Sequence, residues 1–113
     1  MSNAFEQGYA YEKSGDFLRA IEYYKIASTE GHDEAECRLA TIYRFGRGVP
    51  KDYEKAMYWY QRSAEKGNSY AQQNIGSMYR FGQVGPNFEK NYDLAFEWYI
   101  KAAEQGNDYA EQN

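Results

Sequence analysis

The sequence predicts an all-α fold of stacked antiparallel helix pairs, and two observations support this. The first is an internal repeat, because the tetrapeptide Tyr-Arg-Phe-Gly occurs at residues 43–46 and again at 79–82. Matching residues are 36 apart at first and 39 apart after Gly82, where the second copy carries three extra loop residues. The second observation is that apolar residues recur at helical spacing within each copy. Periods of this length are typical of stacked helical units, which bind partners on extended surfaces rather than in enclosed pockets.

The first unit, about 4–30, is predicted to contain an A helix over about 4–13 and a B helix over about 17–30. The A helix carries Gly8 and Tyr11 on its inner face. Asp16 can cap the B helix, and Gly31 suits the left-handed conformation just past its end. The B helix has a stripe of small and aromatic residues, namely Ala20, Tyr23, Tyr24, Ala27 and Ser28.

The second unit, about 33–67, repeats this plan with an A helix over about 34–45 and a B helix over about 53–66. Asp33 and Glu36 have the spacing of a capping box. Asp52 can cap the B helix, and glycines end both helices. Buried stripes are predicted at Ala35, Leu39, Ala40, Ile42 and Tyr43 and at Ala56, Trp59, Tyr60, Ser63 and Ala64.

The third unit, about 69–106, is predicted to form an A helix over about 70–81 and a B helix over about 92–105. Ser69 and Gln72 again have the spacing of a capping box. Residues 108–113 begin a further A helix, so residues 1–113 form one repeat domain of about three helix pairs plus this start. Small residues recur where the paired helices are expected to cross, at Gly8/Ala20, Ala40/Ala56 and Gly76/Ala95.

Composition excludes several function classes. A formal net charge of −4 argues against nucleic acid, since phosphate binding needs clustered cations. No apolar run is long enough to cross a membrane. One cysteine, Cys37, cannot form an intrachain disulfide, and with no recognisable signal peptide it favours a cytoplasmic location. Residues 2–4 resemble an expression-vector remnant and the chain stops abruptly, so neither end is assumed to be native.

Four blocks, at residues 52–56, 59–68, 71–82 and 98–107, resemble the Sel1-like repeat (SLR) family within the tetratricopeptide-like α-solenoids. They carry the patterns Asp-Tyr-x-Lys-Ala, Trp-Tyr-x2-Ser-Ala-Glu-x-Gly-Asn, Ala-x4-Gly-x-Met-Tyr-x2-Gly and Trp-Tyr-x-Lys-Ala-Ala-Glu-x-Gly-Asn. The first unit, with its short turn, is closer to a tetratricopeptide repeat. The resemblance implies a right-handed α-solenoid whose A helices line a concave groove, in proteins that typically act as adaptors.

The groove is the candidate partner-binding site. Transferring the repeat register, the outward positions of the A helices are Tyr9, Glu12, Arg38, Thr41, Arg44, Phe45, Asn74, Ser77, Arg80 and Phe81. Arg44 and Arg80 occupy equivalent positions and would form a cationic strip for an acidic peptide or a C-terminal carboxylate. In the competing interpretation each arginine pairs with a neighbouring acid or stacks on Phe45 or Phe81.

The sequence gives no catalytic, cofactor or metal site. His32 is the only histidine, so a metal site has no further imidazole, and it is predicted to be an exposed turn residue. Cys37 has no suitably spaced base and is predicted to be an unreactive thiol. The Trp59/Tyr60 and Trp98/Tyr99 stripes coincide with the buried helix faces, which indicates core packing rather than a ligand platform.

The leading interpretation is a non-catalytic protein–protein interaction scaffold. Two alternatives remain open. Similarity to cysteine-rich SLR proteins suggests a β-lactam-binding or β-lactam-hydrolysing enzyme, although this chain has no Ser-x-x-Lys arrangement at Ser14, Ser28 or Ser63. The other alternative is a passive spacer in a longer repeat protein. An apolar face near Trp98 and Tyr99 is expected to be partly uncovered, which favours end-to-end self-association.

Overall fold

The computed structural model describes residues 4–105, which form six α-helices and no strand. All six helices begin and end within one residue of the predicted bounds. The predicted start of a further A helix at 108–113 lies outside the described residues. The helices are α1 (Ala4–Ser14), α2 (Phe17–Thr29), α3 (Asp33–Phe45), α4 (Tyr53–Glu65), α5 (Ser69–Arg80) and α6 (Tyr92–Glu104).

The chain divides into two compact units, Met1–Trp59 and Tyr60–Asn113, and the boundary falls inside α4. In the first unit α1 packs on α2, and α2 packs on α3. In the second unit α5 packs on α6. No helix among residues 4–105 is long and apolar enough to cross a membrane.

The α1–α2 pair is closely packed because Gly8 has no side chain. A Cβ atom at Gly8 would lie 2.7 Å from Cδ1 of Tyr24 and 3.3 Å from the carbonyl oxygen of Ala20. The expected Gly8/Ala20 crossing is therefore confirmed. Asp16 caps α2 as predicted, since its Oδ1 accepts a hydrogen bond from the amide of Arg19 at 3.2 Å.

The N-terminal caps of the later A helices lie one residue earlier than the capping boxes predicted. Nδ1 of His32 accepts from the amide of Ala35 at 3.2 Å, and Oδ1 of Asn68 accepts from the amide of Ala71 at 2.8 Å. Asp33 and Ser69 are therefore the first residues of α3 and α5, not their caps. Glu36, the other residue of the predicted box on α3, accepts a hydrogen bond from Ser28 Oγ at 2.7 Å.

The α5–α6 pair uses the same close approach as α1–α2. A Cβ atom at Gly76 would lie 3.0 Å from Cε1 of Tyr99 and 3.1 Å from the carbonyl oxygen of Ala95, which confirms that crossing. The three extra loop residues leave the entry to α6 unchanged. The backbone N–H of Asn91 donates to the carbonyl of Tyr79 at 2.9 Å, and the backbone N–H of Asp52 donates in the same way to the carbonyl of Tyr43 at 2.9 Å.

The core is built from small residues, aliphatic side chains and tyrosine rings. Tyr24 and Tyr60 are fully buried, whereas Tyr99 at the equivalent position of α6 is only half-buried. Trp98 is also half-buried. The expected partial exposure near Trp98 and Tyr99 is therefore confirmed. The most exposed apolar side chains in this region belong to other residues of α6.

Candidate functional site

The outward side of α1 and α3 carries a network centred on Glu12. One Glu12 oxygen accepts a hydrogen bond from the Tyr24 hydroxyl at 2.5 Å and lies 3.5 Å from Nη1 of Arg38. The other oxygen lies 3.9 Å from Nη1 of Arg47. Arg38 also bonds to Glu34 at 3.3 Å. The network joins α1, α2 and α3, and it leaves Glu12 with most of its side chain buried.

Within the network, the surroundings of Tyr24 and Arg38 favour the protonated form of each. Burial raises the pKa of Tyr24 and its hydrogen bond to Glu12 raises it further, so the hydroxyl remains the donor. Partial burial lowers the pKa of Arg38, but Glu12, Tyr24 and Glu34 together outweigh this effect, and the pKa of Arg38 is raised. The Arg38 guanidinium also lies 4.5 Å from the centre of the Tyr9 ring, which is 37% exposed.

Arg44 is more buried than the predicted outward position implies, with 5% of its surface exposed. Its guanidinium lies 4.9 Å from the centre of the Phe45 ring. Arg47 lies 5.5 Å from the same ring, so Phe45 is contacted by two cations while remaining 50% exposed. Stacking on the adjacent phenylalanine is the competing interpretation of Arg44, and the structure agrees with it. Thr41 is half-buried and donates its hydroxyl to the Cys37 carbonyl.

The four candidates of the second unit lie on or just after α5. Asn74 donates its side-chain amide to the Tyr70 carbonyl at 2.7 Å, and Ser77 Oγ lies 3.0 Å from the Tyr99 hydroxyl. The Arg80 guanidinium lies 5.4 Å from the Phe81 ring centre. Arg80 is exposed and makes no ion pair among residues 4–105, and Phe81 is 54% exposed.

The repeat register predicts one row of Tyr9, Thr41 and Ser77 and another of Arg44 and Arg80, and both rows join residues of different units. Thr41 and Arg44 belong to the first unit, and Ser77 and Arg80 belong to the second. Within the first unit, Tyr9, Glu12 and Arg38 come together, and so do Arg44 and Phe45. The alignment of the rows across the two units stays a prediction.

The sequence reasoning missed two residues. His32 caps α3 and stacks on the Phe5 ring with 4.4 Å between ring centres, so it is not simply an exposed turn residue. The repeat register gave a signal, because His32 aligns with Asn68, a strongly preferred capping residue. Arg47 gave no such signal. It follows Gly46 in a loop, and only folding brings it to Glu12 and Phe45.

The groups considered for catalysis are occupied in structural roles. Cys37 is buried, and burial raises the pKa of its thiol to about 12, so the nucleophilic thiolate is nearly absent at neutral pH. The Nδ1 atom of His32 is already an acceptor in the α3 cap. Among residues 4–105, no group of three or more histidine, cysteine, aspartate or glutamate side chains is arranged to hold a metal ion.

Comparison with known proteins identifies the repeat. The Sel1 repeat matches three times, at residues 1–32, 33–68 and 69–107. One similar solved structure is c5321, a protective antigen of uropathogenic Escherichia coli strains that displays an SLR fold. It is 32% identical with a TM-score of 0.82, over 95% of this chain and 23% of the other. Another is a Sel1 repeat protein from Oxalobacter formigenes, 31% identical with a TM-score of 0.83, over 95% and 44%. No curated protein matches the chain.

The chain thus spans less than half the length of these two relatives. Their folds confirm the predicted class, an all-α fold of helix pairs of the solenoid type. Proteins built from Sel1 repeats generally mediate protein–protein interactions and are generally non-enzymatic scaffolds. Because the repeat covers nearly the whole chain, this protein belongs to the Sel1 repeat family.

Proposed function

We propose that this chain is a non-catalytic scaffold that binds an acidic peptide segment of a partner protein on the outward side of its A helices. The observation that carries the proposal is a pair of exposed phenylalanines at equivalent repeat positions, Phe45 and Phe81. Each is stacked against an arginine of its own unit. Neither ring is needed to fill a core, since about half of each is in water.

Local charge favours an acidic partner although the whole chain is negative. In the first unit Lys13 and Arg38 lie over the Tyr9 ring and Arg47 lies over the Phe45 ring. Arg38 pairs with Glu12 and Glu34, and Arg47 pairs with Glu12. Glu12 is only 14% exposed and so offers little negative charge to a partner. In the second unit, Arg80 supplies an exposed guanidinium beside Phe81. A guanidinium can bind a side-chain or C-terminal carboxylate through paired hydrogen bonds.

The non-catalytic part of the proposal is supported by the state of the two most plausible reactive groups. The Cys37 thiol is buried and protonated at neutral pH, and His32 is engaged in a helix cap. No observation favours the β-lactam chemistry suggested by resemblance.

The last repeat supplies a second proposed contact, an end-to-end association between copies, for which α6 exposes apolar side chains.

Selection from a library of random peptides displayed on phage tests the docking proposal. We expect the selected peptides to be rich in aspartate and glutamate beside apolar residues. Binding of such a peptide should be lost in the double variant Phe45→Ala/Phe81→Ala and kept in Leu18→Ala, which removes an exposed apolar side chain from α2. Selection of basic peptides, or equal binding by both variants, would contradict the proposal.

A further inference from the structure

The loop before α6 holds a phenylalanine in a backbone conformation that favours glycine. Phe88 has a φ of 51°, and among residues 4–105 it is the only residue other than glycine with a positive φ. A bulky side chain is strained in this left-handed region, so it persists only where the surrounding chain imposes it. The residue is nevertheless 57% exposed, so burial in a core does not account for its conformation. Strained residues of this kind are concentrated at functional sites.

The loop is fixed at both ends and folds back on the end of α5. The backbone N–H groups of Gln83 and Asn91 donate to carbonyls in the last turn of α5, at 2.8 and 2.9 Å. Between these points the carbonyl oxygen of Phe88 approaches so closely that a Cβ atom at Gly82 would lie 2.5 Å from it. The backbone of Phe88 therefore packs against the residue that follows Phe81.

The ring of Phe88 has no counterpart in the second repeat, where the same connection is three residues shorter. The backbone nitrogen of Lys51 would lie 3.0 Å from a Cβ at Gly46, and that of Lys90 would lie 3.3 Å from a Cβ at Gly82. These matching contacts align the two loop ends. The shorter loop contains no aromatic residue. The longer loop therefore adds an exposed ring to a connection that both repeats share.

Stacking of a further repeat is not expected to cover Phe81 and Phe88. Phe45, the equivalent of Phe81, is 50% exposed although another repeat follows it in the chain. Pro50 and Lys51, at the corresponding end of the shorter loop, are exposed in the same way. The surface at the end of α5 is therefore one that the repeat architecture leaves in water.

This surface combines one cation with two aromatic rings. Arg80 is exposed, and its guanidinium lies 5.4 Å from the centre of the Phe81 ring. In the first unit Phe45 is contacted by two guanidinium groups instead. A guanidinium binds a carboxylate through paired hydrogen bonds, and an aromatic ring binds apolar groups. The second unit therefore matches a segment in which a carboxylate neighbours a large apolar side chain.

We propose that Phe88 is a second aromatic anchor for the partner peptide. With Phe81, it holds a large apolar side chain of the peptide next to the carboxylate that Arg80 binds. This inference rests on the proposed function and specifies what the second unit recognises. Because the loop is already fixed at both ends, little of its conformational freedom is lost when the peptide binds.

The variant Phe88→Asn separates binding from folding. Asparagine tolerates the left-handed region, so the Tm should stay within about 2 °C of the parent value or rise. Fluorescence anisotropy with a labelled acidic peptide obtained by selection should show an affinity at least about fivefold lower than that of the parent. Phe96→Ala, which removes a side chain exposed to 65% on α6, should bind like the parent.

Serine substitutions in the peptide test whether Phe88 contacts an apolar side chain. Each apolar residue of the peptide is replaced in turn and titrated with the parent and with Phe88→Asn. For one residue, the loss of affinity should be at least about fivefold with the parent and less than about twofold with the variant. Losses that are equal for the two proteins at every residue would overturn the second anchor. A Tm lowered by more than about 5 °C would also overturn it, since the ring would then serve folding.

The double variant Phe45→Ala/Phe81→Ala distinguishes this inference from the proposed function. Loss of binding in the double variant with full affinity in Phe88→Asn would overturn the second anchor and leave the proposed function standing. A parent chain that selects no acidic peptide would contradict both.

Discussion

In the second and third repeats the same position of the A helix carries a buried polar side chain. The hydrogen bonds that this side chain makes differ between the two repeats. Glu36 is fully buried and accepts from Ser28 Oγ at 2.7 Å. Gln72, its counterpart, donates its amide to the Ala64 carbonyl at 3.3 Å. Within residues 4–105, Oε1 of Gln72 has no hydrogen-bond partner. The difference follows from the residue that faces each one, serine at 28 and alanine at 64.

Exchanging these facing residues should change stability in opposite directions. Ser28→Ala removes a donor from a buried carboxylate and should lower the free energy of unfolding by about 1–3 kcal/mol. Ala64→Ser supplies a donor to Gln72 and should raise it by about 0.5–1.5 kcal/mol. Urea unfolding followed by circular dichroism measures both. A neutral or destabilising Ala64→Ser would contradict this account of Gln72.

The Cys37 thiol should react slowly in the folded chain. With a pKa of about 12, only about one thiol in ten thousand is ionised at pH 8, far fewer than in the unfolded chain. Alkylation by iodoacetamide at pH 8 should therefore be at least about a hundredfold slower in buffer than in urea. Lys25→Cys in a Cys37→Ser background provides an exposed control. Similar rates for the two cysteines in buffer would show that Cys37 is accessible.

At the scale of helices, apolar spacing and glycine positions were sufficient to predict all six elements. The predicted caps of α3 and α5 were one residue too late, because aspartate (Asp33) and serine (Ser69) are also residue types that favour the capping position. Asn68 caps α5 with a well-placed oxygen, and His32 fills the same position for α3. Histidine is not a common capping residue, so propensity alone could not identify it.

The two close helix crossings should respond differently to an added methyl group. Gly8→Ala would place Cβ 2.7 Å from the ring of Tyr24, which is fully buried and hydrogen-bonded to Glu12. We expect a loss of about 1–3 kcal/mol in the free energy of unfolding, despite the better helix propensity of alanine.

Gly76→Ala is the matched variant on α5. Its Cβ would lie 3.0 Å from the ring of Tyr99, which is only half-buried and is therefore expected to shift more easily than Tyr24. We expect a loss below about 1 kcal/mol, because the gain in helix propensity offsets part of the strain. Thermal unfolding of the two variants side by side gives the comparison. A larger loss for Gly76→Ala than for Gly8→Ala would contradict this description of the crossings.

At the scale of the whole molecule, the repeat period predicted the fold class, and the family comparison confirms it. The binding surface was less predictable. Register placed Phe45 and Phe81 at exposed positions, but it could not show that Arg44 is 5% exposed. Nor could it show that Arg47 reaches Glu12, because a loop residue has no fixed direction. The direction of a long cationic side chain depends on the packing around it, and sequence periodicity does not specify that direction.

Charge reversal tests the central claim most directly. The measurement is the fluorescence anisotropy of a labelled acidic peptide obtained by selection, titrated with the parent chain and two variants. The account predicts that Arg47→Glu/Arg80→Glu weakens binding at least about tenfold, while Lys25→Glu on α2 changes it less than about twofold. Equal affinity of all three proteins would show that the outward side of the A helices does not bind the peptide.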